Sequence, residues 1–71
     1  MKLQDVLEVF DKKIGKKVVA YEDKGDRFII ITEPSDYKYD TSYYEVTPTS
    51  VSVTNPVLCD LKDENVVRLK N

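Results

Sequence analysis

Residues 16–34, KKVVAYEDKGDRFIIITEP, constrain the fold more than any other part of this chain. Two β-rich runs flank Asp23-Lys24-Gly25-Asp26, which is the pattern of an antiparallel hairpin. Residues 17–22 are expected to pair with 27–33. A two-residue loop at Lys24-Gly25 and a four-residue loop over 23–26 give the same register. It sets Tyr21 opposite Phe28, Ala20 opposite Ile29, Val19 opposite Ile30 and Val18 opposite Ile31. Glu22 then faces Arg27 and Lys16 faces Glu33, two charge pairs each worth up to about 1 kcal/mol. The longer loop fits better, because the tighter one sets Asp23 against Asp26.

Both faces of this hairpin are apolar. A hairpin with one wet face alternates apolar and polar residues, and Phe28-Ile29-Ile30-Ile31 does not. Each face therefore needs a cover. The first cover is legible upstream. Leu3, Val6, Leu7, Phe10 and Ile14 form one stripe at helical spacing. Asp5 and Glu8 lie near the start of that stripe. Lys12, Lys13, Lys16 and Lys17 lie near its end, as the helix dipole favours. Gly15 stands where a left-handed C-terminal cap belongs. The spacing predicts a helix over residues 3–14.

The second cover has to come from the rest of the chain. Pro34 stops the second strand, since it cannot donate to a ladder. Residues 35–41 read as a loop or a loose extended connection, SYYEVT as a third strand and TSVSVTN as a fourth, ended by Asn55-Pro56. Beyond them, a turn at 62–65 would leave short strands at 57–61 and 66–69, the second being favoured, with a C-terminal helix as the alternative that the spacing of Leu58, Leu61 and Asn65 supports poorly. Closure is expected from a curl of the later strands, with Tyr43 or Tyr44 and Val46, Val51 and Val53 folding onto the open face. The predicted architecture is α+β: one N-terminal helix on an antiparallel sheet of four or five strands, within one domain spanning residues 1–71. A small helix-capped β-barrel is the alternative.

Composition narrows function mainly by exclusion. Histidine is absent and Cys59 is the only cysteine. An internal disulfide is therefore excluded, and one thiolate with carboxylates is a poor zinc set. Without a histidine base to activate it, Cys59 reads as a small buried hydrophobe. Two glycines cannot build a phosphate-binding glycine loop. Asp60, Asp63 and Glu64 lack the spacing and turn glycine of a calcium-binding EF-hand loop. No cofactor, metal or catalytic residue is expected, and the chain reads as non-enzymatic. No apolar run approaches the roughly 20 residues that cross a bilayer, and the first residues lack a signal-peptide layout. The expected location is the cytoplasm. High lysine without histidine or tryptophan suggests a bacterial or phage genome.

Two patterns are candidate contact sites. Tyr37, Tyr39, Tyr43 and Tyr44 fall within eight residues. Strand position makes Tyr43 or Tyr44 core. Tyr37 and Tyr39, alternating with Lys38 and Asp40 in a loop, are the better contact residues, with Asp36 and Asp40 beside them. Acid beside aromatic suits a protein partner. Lys12, Lys13, Lys16 and Lys17 form the second pattern, a candidate anion site. With tyrosine stacking they support an alternative nucleic-acid-binding function. The net charge of −2 argues against that alternative, because phosphate binding rests on a basic excess. The sequence thus points to a small accessory, regulatory or inhibitory protein that binds an unidentified protein partner, monomeric, with a homodimer as the alternative.

Overall fold

The computed structural model describes residues 1–34 and 42–69. The helix α1 runs over Leu3–Val9 and continues into a wider π-helical turn, Phe10–Ile14. The N–H groups of Gly15 and Lys16 both donate to the Phe10 carbonyl, at 2.7 and 3.1 Å. Gly15 ends the helix at φ 74°, the left-handed position that a side chain would strain. Five strands follow: β1 (Val18–Asp23), β2 (Phe28–Thr32), β3 (Tyr43–Thr47), β4 (Ser50–Val53) and β5 (Val67–Arg68). They form one open antiparallel sheet in the order β4-β3-β2-β1-β5. The fold is the predicted helix on an antiparallel sheet, not a barrel.

The helix covers one face of the sheet. Val6 and Phe10 pack with Phe28, Ile30, Tyr44 and Val46, and Leu3, Ile14, Val18 and Tyr21 flank them. Two edge-to-face ring pairs lie in this layer, Phe10 with Tyr44 at 5.1 Å and Tyr21 with Phe28 at 6.2 Å. Such pairs add about 0.5–1.5 kcal/mol beyond the area they bury. The ammonium of Lys16 sits 5.4 Å from the Tyr44 ring centroid, in cation–π range. Tyr44 is thus the strand tyrosine that enters the core, and Tyr43, on the opposite face, is half-buried.

The hairpin forms, but in a different register. Tyr21 lies opposite Ile30, Glu22 opposite Ile29 and Asp23 opposite Phe28. The turn is centred on Gly25-Asp26 rather than Lys24-Gly25, closed by a 2.9 Å bond from the Lys24 N–H to the Arg27 carbonyl. The physical reason is the glycine. Only Gly25 adopts positive φ here, at 93°, and it stands first in the two-residue loop, a place where hairpins take glycine. A two-residue loop at Lys24-Gly25 would have forced Lys24 into that region. The Asp23 carboxylate holds the turn by accepting from the Gly25 N–H at 2.8 Å.

Tyr21's partner moves by two residues, so Tyr21, Phe28 and Ile30 keep a common face. A bulge at Val19 then moves Val18 onto the helix side, opposite Thr32. The expected charge pairs change as well. Arg27 meets Asp26 and Glu45 instead of Glu22. Glu33 meets Lys17 instead of Lys16. Glu22 meets Lys24, at 3.2 Å.

The second face is not closed by a curl of β3 and β4. Tyr44 and Val46 lie on the helix side, and Val51 and Val53 are exposed. Ala20 and Ile29 nevertheless have no exposed surface. Residues 54–62 fold back as a strap toward their side. Cys59 is buried in it, with its sulfur 3.1 Å from the Thr54 hydroxyl. Glu22, on that face, accepts from the Lys62 N–H at 3.4 Å, and Lys24 donates to the Asp60 carbonyl at 2.7 Å. The strap runs through turns rather than the predicted strand at 57–61. A short 3₁₀ turn, Asp63–Asn65, leads into β5, which pairs with β1. The predicted strand at 66–69 is therefore present in shortened form.

Candidate interaction surface

The sheet ends on one side at β4, and residue chemistry sets both limits of this strand. At its start, the Thr47 hydroxyl accepts from the Ser50 N–H at 3.1 Å and the Thr49 N–H at 3.4 Å, closing the Pro48-Thr49 turn. At its end, the Asn55 side chain accepts from the Leu58 N–H at 3.1 Å and starts the strap. Between them Ser50-Val51-Ser52-Val53 alternates as a strand should. It pairs with β3 alone among the described residues.

The ladder shows which way the backbone points. The Thr54 N–H donates to the Tyr43 carbonyl at 3.1 Å. Hydrogen-bonded and non-hydrogen-bonded pairs alternate along an antiparallel ladder. The Val53–Tyr44 and Val51–Val46 pairs are therefore the non-bonded ones. The N–H and C=O groups of Val51 and Val53 face outward.

The side chains of this edge are exposed too. Val51 retains 44% of its surface and Val53 66%. They lie on the helix side, opposite Val46 and Tyr44, but the helix packs over β2 and β3. Between α1 and this edge runs an open groove of about 380 Å³, lined by Met1, Val9, Phe10, Val46, Pro48 and Val51, with Asp5 among its margins. Immediately after β4, Val57 and Leu58 are 88% and 77% exposed. Single exposed valines are ordinary. Here Val51, Val53, Val57 and Leu58 follow one another along one edge and the turn after it.

The tyrosine site predicted from sequence, Tyr37 and Tyr39 with Asp36 and Asp40, lies outside the described residues. The four lysines do not line one hollow. Lys12 and Lys13 border one with Asp5 and Glu8, while Lys16 and Lys17 border another with Asp11. Lys12 is held by Glu8 at 2.8 Å and Lys17 by Glu33 at 3.6 Å. The first hollow carries two carboxylates and the second one, which offset the field an anion would need. No group of metal-ligating side chains occurs among the described residues, and no described helix is long and apolar enough to cross a membrane.

No family model, curated protein or solved structure matches the chain.

Val51, Val53, Val57 and Leu58 were not singled out from sequence as contact residues. A signal for them exists. Residues 46–59 contain no charged residue in a chain that is 34% charged. Within this gap Val46 and Cys59 are buried, while Val51, Val53, Val57 and Leu58 are exposed.

Proposed function

We propose that this protein is a small non-enzymatic protein-interaction module, acting as an accessory, regulatory or inhibitory protein. Its contact surface is the uncharged edge formed by β4 and the turn after it. The observation that carries this reading is the exposure of Val51, Val53, Val57 and Leu58 within a stretch that has no charge. Fully buried interface centres are depleted in charged residues. Exposed apolar side chains such as Val51 and Val53 beside the groove along α1 suit a contact site in a soluble protein. An open strand edge adds main-chain hydrogen bonds that an extended partner segment can use.

The test is comparative capture from the source cell with wild-type bait and with Val57→Ser/Leu58→Ser bait. A specific protein retained by the first and lost by the second supports the module. Equal retention by both, or capture of nucleic acid that washes off steeply with salt, would overturn it. A Lys12→Ala/Lys13→Ala bait is expected to behave as wild type.

A further inference from the structure

The two edges of the sheet are built differently. β5 is two residues long and carries Arg68. Shortness and a cation are both devices that keep sheet edges from pairing. β4 has neither charge nor proline nor bulge over Ser50–Val53. Its outward backbone groups belong to Val51 and Val53, which flank Ser52 symmetrically.

We propose that β4 pairs with β4 of a second copy of this chain, antiparallel about a two-fold axis at Ser52. This rests on the reading of the β4 edge as a contact surface and names its occupant. In this register Val51 of one protomer lies opposite Val53 of its partner, and the reverse. Both are hydrogen-bonded pairs, so four main-chain bonds form and two sheets become one of ten strands. The outward groups of Val51 and Val53 are the ones this register needs. Ser52 meets its own copy at the axis, where a small side chain fits. A two-fold interface sets residue i against residue j of the partner and j against i, so any charge on this short strand would occur twice, with the same sign, close to the axis. The missing charge over residues 46–59 removes that repulsion. The four valines share the helix-side face, where they cover one another beside the two grooves. Val57 and Leu58 lie beyond the paired strands, available to a further partner.

Sedimentation of wild-type protein over a wide concentration range tests the pairing. A reversible monomer–dimer equilibrium is expected, with the amides of Val51 and Val53 gaining exchange protection as concentration rises. Val53→Lys should stay monomeric throughout, with its circular dichroism unchanged. Val67→Lys, on the opposite edge, should dimerise as wild type. A wild-type monomer at every concentration up to millimolar overturns the dimer and leaves the module reading to its own capture test. So does a dimer in which the Val51 and Val53 amides gain no protection. The protection measurement needs no variant, so it decides even if Val53→Lys misfolds.

Discussion

The two faces of the sheet solve the same burial problem by different means. On one, a helix lays Val6 and Phe10 onto Phe28, Ile30, Tyr44 and Val46, an apolar layer with interlocked rings. On the other, where Ala20 and Ile29 are buried, a strap of turns is pinned to the Glu22 and Lys24 side chains by polar contacts. Its pins are the Glu22 carboxylate, the Lys24 ammonium and the backbone at Asp60 and Lys62. The difference teaches how a short chain covers two faces with one helix. Side-chain volume covers the first face. The second uses hydrogen-bonded backbone, which needs few residues but depends on a buried carboxylate keeping its partners.

That contrast makes the faces separable by mutation. Phe10→Ala should cost about 3–5 kcal/mol, since the side chain is fully buried at the centre of the helix layer. A domain of this size has a net stability of only about 3–5 kcal/mol. The variant should be largely unfolded at room temperature, with every amide losing exchange protection together. A melting curve like that of wild type would mean that the helix layer is not the dominant core.

Glu22→Ala attacks the other face. It removes the carboxylate that pairs with Lys24 and accepts from Lys62. Hydrogen bonds to charged groups are worth about 1.5–3 kcal/mol, and a loss of that order is expected. The distinguishing readout is local. Alkylation of Cys59 should speed up well before the helix layer melts, because the strap lifts while the layer holds. If thiol reactivity and global unfolding stay locked together, the two faces form one cooperative unit and the comparison fails.

Smaller effects sharpen the helix side. Gly15→Ala places a side chain at φ 74°, where no neighbour lies within 4 Å of the added carbon. The cost is then backbone strain alone, about 1–2 kcal/mol, seen as a lower denaturant midpoint with an unchanged slope. Lys12→Ala breaks an exposed pair one helical turn from Glu8. It should cost only about 0.2–0.5 kcal/mol, less still in high salt. A larger loss in thermal melts would give this lysine a role beyond the helix surface.

The sequence by itself determined what depends on neighbours along the chain. Apolar spacing from Leu3 to Ile14 specified the helix, and Gly15 its end. The β-rich runs around Gly25 specified a hairpin, and Ser-Val alternation specified β4. Even the register was within reach of local chemistry, because Gly25 is the residue that takes positive φ and belongs first in the turn. Tertiary structure decided what depends on residues far apart. It placed the bulge at Val19 and brought the Lys62 backbone to Glu22, 40 positions away. It also put Lys24 against the backbone of Asp60, across 36 positions of chain. It left Val51 and Val53 uncovered, because a helix of this width rests on β2 and β3 and stops short of β4. Periodicity records which side chains share a face. Whether a face is covered depends on what else in space reaches it, and a strap of turns has no period to read.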